Sequence, residues 1–78
     1  MDITLVDIKL KVGQRIKVLR KDIGLSQEAL ALKAEVDRTY VTDVENGRRN
    51  VSVEILERLI KALNVSIAEF FNAKEFKK

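Results

Sequence analysis

Between Asp37 and Asn50 the chain concentrates side chains built for directed hydrogen bonding: Arg38, Thr39, Tyr40, Thr42, Asp43 and Asn46, followed by Arg48, Arg49 and Asn50. If 37–46 is a helix, Val41 and Val44 are its only large aliphatic residues three apart, and they must point inward. Arg38, Thr39, Thr42, Asp43 and Asn46 then share the outward face. Uncharged donors and acceptors make up most of that face. A merely solvated face more often carries Lys and Glu, as Glu54, Glu57, Arg58 and Lys61 do later in the chain. Such a surface suits recognition and not bond-making. The chain contains no cysteine and no histidine. Disulfides and thiolate metal sites are therefore excluded, and a metal ion could be held only by carboxylates. There is no Gly-rich phosphate loop and no evident pair of enclosed carboxylates. The reading is of a protein that is not an enzyme, with no cofactor, no metal and no small-molecule ligand evident.

The elements that must position these residues are helical. The 78 residues suit one domain, 1–78, of the kind whose stability margin is thin because so little surface is buried. With 46% apolar and 35% charged residues, the composition is that of a folded chain and not a disordered one. The only β-branched cluster, Ile3 to Val6, is too short and too near the end to found a sheet. Val12, Ile16, Leu19 and Ile23 recur at helical spacing, and Leu56, Leu59, Ile60 and Leu63 repeat the pattern. Four hydrophobic staples mark helix starts: Leu25-Ser26…Leu30, Val36-Asp37…Val41, Val51-Ser52…Leu56 and Val65-Ser66…Phe70. In each, the polar residue caps an orphan N–H, a contact worth about 1 kcal/mol, while the apolar pair fixes the approach of the chain. Glu69 extends the Ser66 signal to a capping box. Gly24, Gly47 and Asn64 can take the left-handed conformation that closes a helix. Five helices follow, at about 6–22, 26–33, 37–46, 52–63 and 66–73. The second and third are short and separated by a few residues, the geometry of a helix-turn-helix.

A net charge of +3 permits an anionic partner without demanding one. A polar face of short side chains with an Arg at its N-terminal end suits the major groove of double-stranded DNA. Arg38 is the leading candidate for a bidentate contact to a guanine edge; a phosphate clamp, or pairing with Asp37 or Asp43, is its alternative. Thr39 and Thr42 are candidate base contacts that could also be plain surface. Asp43 shares that face and could accept from a cytosine amino group, but a carboxylate near phosphate is otherwise repelled, so orienting Arg38 or Arg48 is the preferred role. Ser26 and Gln27 start the second helix, whose positive end favours an oxyanion. Tyr40 serves either as a phosphate donor or as a half-buried cover for the second helix. Asn46, Arg48, Arg49 and Asn50 form a basic loop suited to clamping the DNA backbone.

The stretch from Val12 to Ala31, with Gly13-Gln14-Arg15 near its start and Leu25-Ser26-Gln27-Glu28-Ala29-Leu30-Ala31 at its end, resembles the opening of the Cro/repressor-type (xenobiotic-response-element) helix-turn-helix family. Val36 to Arg49, including Glu45-Asn46-Gly47-Arg48, is similar to that family's recognition helix and following loop, and the likeness extends over roughly residues 12–71. The run Asp37-Arg38-Thr39-Tyr40 is similar to the controller proteins of restriction–modification systems. The resemblance implies an all-α, five-helix, lambda-repressor-like DNA-binding domain acting in transcription regulation, as repressor or activator. It also implies that Gln27 touches the DNA backbone and that Arg20 and Glu45 form a structural salt bridge. Glu35 departs from the pattern, since the family usually has Gly at that turn.

Val65, Ile67, Phe70, Phe71 and Phe76 crowd the C-terminal end. Phe70, as a staple residue, is assigned to the core. Val65, Ile67 and Phe71 are assigned to an exposed apolar patch that forms a homodimer interface. A two-fold dimer presents two recognition helices one DNA turn apart, about 34 Å, and so reads a pseudo-palindromic operator. RNA polymerase stands as a further candidate partner. The rival reading is a protein-interaction module, such as an antitoxin or anti-regulator, on the same scaffold. No apolar run is long enough to span a membrane. Met1 to Ile8 carries Asp2 and Asp7 without a basic leader, so a cytoplasmic protein is expected.

Overall fold

The computed structural model describes residues 4–77, with side chains placed from Ile8 to Lys77. Among these residues every regular element is a helix: α1 (Thr4–Asp22), α2 (Gln27–Ala34), α3 (Arg38–Glu45), α4 (Val53–Ala62), α5 (Ile67–Phe71) and a final 3-10 turn (Lys74–Phe76). Thr4 to Val6 belong to α1; Ile3 lies outside the described residues, as do Met1 and Asp2. The expected five helices are present and no strand occurs among the described residues. The C-terminal end differs. A helix expected over 66–73 stops at Phe71, and a separate 3-10 turn follows.

The starts are set by side-chain caps. Ser26, Ser52 and Ser66 hold extended backbone at the N-cap and accept from the N–H groups of Ala29, Ile55 and Glu69 at 3.0–3.1 Å. Asp37 also occupies an N-cap, but its carboxylate makes no cap bond, so the expected contact is absent there. The Ser66 capping box is formed only in its first half, the hydroxyl to the Glu69 N–H.

The ends share one device. After α1, the N–H of Gly24 bonds Lys21 O and that of Leu25 bonds Arg20 O; after α2, Glu35 bonds Leu32 O and Val36 bonds Ala31 O. After α3, Gly47 bonds Val44 O and Arg48 bonds Asp43 O. These are Schellman pairs, each pivoting on a left-handed residue: Gly24 at φ 74°, Glu35 at φ 60° and Gly47 at φ 72°. Asn64, at φ 64°, closes α4. Leu25 and Val36 therefore do two jobs. Each ends one helix as the apolar residue beyond the left-handed position and starts the next as the staple residue packed against the core.

The core gathers Val12, Ile16 and Leu19 from α1, Leu30 and Ala31 from α2, Val41 and Val44 from α3, and Leu59, Ile60 and Leu63 around α4. Phe70 of α5 plugs its end and is fully buried. Ile23, which continues the helical spacing of Val12, Ile16 and Leu19, is 44% exposed because α1 has ended one residue earlier. Gly13 sets the distance between α1 and α3. A Cβ there would stand 2.8 Å from the Glu45 carbonyl oxygen and clash with that of Val44. Both obstacles are backbone and cannot swing away, so the two helices touch main chain to main chain.

Glu35 is the one bulky residue of the helix-turn-helix held in the left-handed region, a conformation that disfavours a Cβ by roughly 1 kcal/mol. Its side chain is 85% exposed and 3.9 Å from Arg58, a pair that contributes little, while its carbonyl accepts from Arg58 Nη2 at 2.9 Å through atoms any residue supplies. Glu35→Gly is therefore expected to stabilise the chain by about 0.5–1 kcal/mol, after allowing for the freer unfolded chain. Thermal melting checks this, and a lowered midpoint would show that Glu35 is not strained.

Candidate nucleic-acid interface

The turn between α2 and α3 is held by polar side chains meeting beneath it. Glu45, the last residue of α3, is 6% exposed and faces Arg20 of α1, which is 7% exposed. Arg20 Nε donates to Glu45 Oε2 at 2.6 Å and Nη2 to Oε1 at 3.0 Å, a bidentate pair. The remaining guanidinium nitrogen, Nη1, donates to Leu25 O at 2.8 Å and so ties down the start of the next helix. Gln27 completes the set: its Nε2 donates to Glu45 Oε1 at 3.0 Å, and its Oε1 accepts from the Thr42 hydroxyl at 2.8 Å. These bonds fix the amide orientation of Gln27. They also join α1, α2 and α3 through one chain, and no side-chain N or O buried among the described residues lacks a partner.

This clamp turns α3 so that Val41 and Val44 face the core and the opposite side of the helix turns outward. Arg38 and Thr39 are exposed at its N-terminal end. Among the described residues the Arg38 guanidinium has no hydrogen-bond or ion-pair partner, so neither Asp37 nor Asp43 holds it. Thr42 is half-buried; its hydroxyl donates to Gln27, with Arg38 O at 3.2 Å as the other acceptor within reach. Asp43, also half-buried, pairs with Arg49 at 3.3 Å. The expectation that it orients Arg38 or Arg48 is corrected: the Gly47 turn swings Arg49, and not Arg48, back alongside α3. Arg49 also lies over the Tyr40 ring, 4.5 Å from its centroid. Tyr40 is a half-buried ring packed against the core. Ser26 is engaged as a cap, with its hydroxyl proton still free to donate outward. Asn46, Arg48 and Asn50 are exposed on the loop beyond α3.

At the other end, Ile67 (54% exposed) and Phe71 (37%) are four apart on α5 and share one outward face. Val65 is separated from them, half-buried against the core beside Phe70. The rings of Phe70 and Phe71 meet edge to face at 4.9 Å, and Phe76 packs on both. Two features were not in the sequence reading. Arg15 reaches from α1 to the carbonyl oxygens of Glu69 and Phe70, and the Tyr40–Arg49–Asp43 cluster flanks α3. Neither has a periodic or motif signal, since both depend on how distant segments meet. No group of His, Cys, Asp or Glu placed to hold a metal is found among the described residues, and none of their helices is long and apolar enough to cross a membrane.

The buried Arg20–Glu45 pair makes a sharp stability prediction. Removing one partner strands the other charge in the interior, at a cost of about 3–5 kcal/mol. Glu45→Ala should lower the unfolding free energy in urea by that amount and leave Gln27 without its acceptor. An unchanged midpoint would mean that the pair does not hold the two helices.

The chain is similar to known proteins in sequence and in fold. Residues 16–70 match the model of a helix-turn-helix family. The control protein C.MunI from a Mycoplasma species is 43% identical over 67 residues, spanning 85% of this chain and 90% of that protein. Among solved structures, the restriction-modification controller protein C.AhdI from Aeromonas hydrophila superposes with a TM-score of 0.78 at 46% identity, covering 81% of this chain and 96% of that one. The controller protein C.Esp1396I, solved as a tetramer in complex with its natural 35 base-pair operator, gives a TM-score of 0.83 at 40% identity, covering 90% and 95%. Matched over this span, the chain belongs to the helix-turn-helix family and, within it, to the control proteins of restriction–modification systems.

Proposed function

We propose that this chain is a sequence-specific, double-stranded-DNA-binding transcriptional regulator that reads a pseudo-palindromic operator as a homodimer, in the manner of a restriction–modification controller. The observation that carries this reading is the contrast along α3. Its inner side is locked by Val41, Val44 and the Glu45 clamp, while Arg38, exposed and without a partner among the described residues, projects from its first turn. A rigid helix presenting a free guanidinium is what bidentate reading of a guanine edge requires. Thr39 stands beside it as the second base contact. Thr42 and Asp43, the other base-reading candidates, contact DNA from the same face while supporting Gln27 and Arg49.

Ser26 and Gln27 at the start of α2, Tyr40, and the Asn46, Arg48, Arg49 and Asn50 loop supply backbone contacts that set register. The C.Esp1396I complex with operator DNA supports the partner class. Ile67 and Phe71 form the self-association face, with Val65 behind it. The 78 residues work as one DNA-binding unit, in the cytoplasm, as a binding protein and not an enzyme. RNA polymerase is the further partner such a regulator engages.

Selection of bound sequences from a random duplex library, at one stated salt concentration, tests the reader. Wild type should enrich a palindrome, and Arg38→Ala should lose preference at one symmetric base pair, a loss of about 1–3 kcal/mol per contact. Affinity should also fall steeply with salt, because phosphate neutralisation releases counterions. Enrichment of nothing, or a flat salt response, would point instead to a protein-interaction module. A second prediction concerns assembly: Phe71→Glu should weaken dimerisation and operator binding together, as read by sedimentation equilibrium and titration of duplex DNA. A Phe71→Glu protein as dimeric as wild type would remove this face from the interface.

A further inference from the structure

Helix α5 is too short to hold itself. It has five residues, and isolated helices become stable in water only at about 12–15. Backbone bonds also mark its two ends. The Phe70 N–H reaches Ser66 O at 2.9 Å, and the Asn72 N–H reaches Glu69 O at 3.2 Å. Asn72 follows at φ −88° and ψ 67°, outside the left-handed turn that closes α1, α2 and α3. Two carbonyls of its last turn, those of Glu69 and Phe70, are also taken by a side chain 54 and 55 residues away. Arg15 Nε donates to Phe70 O at 2.8 Å, and Arg15 Nη2 donates to Glu69 O at 2.9 Å. Both bonds carry the cation's charge onto the negative end of a helix, and the two together fix orientation as one bond would not.

Phe70 is the second anchor, with its ring fully buried beneath α5. One anchor point leaves a short helix free to roll about its axis. An inward ring together with two carbonyls held from α1 removes that freedom. The direction in which Ile67 and Phe71 project is then set by Arg15, which lies on α1 and is itself only partly buried.

We infer that Arg15 is a positioning residue for self-association: it latches the C-terminal end of α5 so that Ile67 and Phe71 face a second copy of this chain together. This rests on the reading of α5 as the dimer face given above. An apolar face wins its affinity from being held in the bound geometry beforehand, because ordering it at the moment of association subtracts from binding. Arg15 supplies that order from inside the protomer.

Sedimentation equilibrium over a concentration series tests the inference on the full chain. Wild type, Arg15→Met, Arg15→Lys and Phe71→Glu are compared well below their melting temperatures, with folding followed by circular dichroism. Arg15→Met keeps the apolar stem and loses both donors. It should remain helical while its dimer dissociation constant rises about tenfold, a fraction of the worth of two charge-assisted bonds because the Phe70 anchor is kept. Arg15→Lys keeps the charge but cannot span both carbonyls, and should fall between Arg15→Met and wild type. In the Phe71→Glu background Arg15→Met should add nothing further, which a general loss of stability would not produce. Faster amide exchange at Phe70, with α1 to α4 unchanged, would place the loosening in α5. A dimeric wild type with an equally dimeric Arg15→Met overturns the inference and leaves the α5 interface standing. A wild type that stays monomeric throughout overturns the interface and the inference together. If Arg15→Met does not fold, Arg15→Lys decides in the same way: weaker association supports the latch and equal association overturns it.

Discussion

The bidentate contact between Arg20 and Glu45 is the interaction on which the reading surface depends. Both groups are almost wholly buried, and in that setting an ion pair is worth having only when its remaining hydrogen-bonding capacity is filled. Here it is filled by main chain and by Gln27: Arg20 also holds Leu25 O, and Glu45 Oε1 also takes the Gln27 amide. Burying the pair contributes little net stability compared with an apolar substitute of the same shape. Its effect is geometric, because only one relative placement of α1, α2 and α3 satisfies every donor at once. A core of Leu, Ile and Val alone would tolerate small rotations of α3. The charged clamp does not, and a rotation of α3 would carry Arg38 off its bearing.

The connections between helices add a second constraint. Leu25 and Val36 each lie between a left-handed residue and an N-cap, so the end of one helix and the start of the next share a single apolar contact with the core. The angle between α2 and α3 is therefore set within a few residues. This economy explains why the fold was so legible in the sequence. Caps, staples and left-handed closures are local events, and Ser26, Ser52, Ser66, Gly24, Gly47 and Asn64 announce them by residue type. The sequence failed where a helix end is decided by distant contacts. Asn72 does not differ in type from a left-handed closer, yet α5 ends there with Arg15 on its carbonyls, and the 3-10 turn that follows has no local signal.

Which side of α3 each residue takes was legible in the sequence, but the pairings were not. Period and composition place Arg38, Thr39, Thr42 and Asp43 outside and Val41 and Val44 inside; the structure exposes Arg38 and Thr39, buries both valines and leaves Thr42 and Asp43 half-buried between them. Which cation meets Asp43 depends on the path of the loop after Gly47. Arg48 and Arg49 are indistinguishable by composition, and the Schellman turn decides for Arg49. Glu35 shows the opposite case. Its side chain argues against a left-handed turn, yet the backbone pair to Ala31 and Leu32 and the bond from Arg58 hold it there. Tertiary context outweighs a penalty of about 1 kcal/mol.

Helix α1 emerges as the member through which the parts communicate. Within eight residues it presents Gly13, where α3 touches main chain to main chain, Arg15, which holds α5, and Arg20, which holds Glu45. None of the three lies on the reading face or on the exposed face of α5. A dimeric reader has a demand that a monomeric one lacks: the spacing and tilt of its two recognition helices must match the DNA repeat, about 34 Å, and errors in the path between them accumulate. In the proposed dimer that path runs from α3 to α1 to α5 and across to the partner. A loose joint anywhere along it would leave both ends intact and still spoil the match. Close packing at Gly13 and bidentate arginines at Arg15 and Arg20 are joints that resist sliding and rotation at once. The match to DNA then depends on the stiffness of α1 as much as on the side chains that meet the bases.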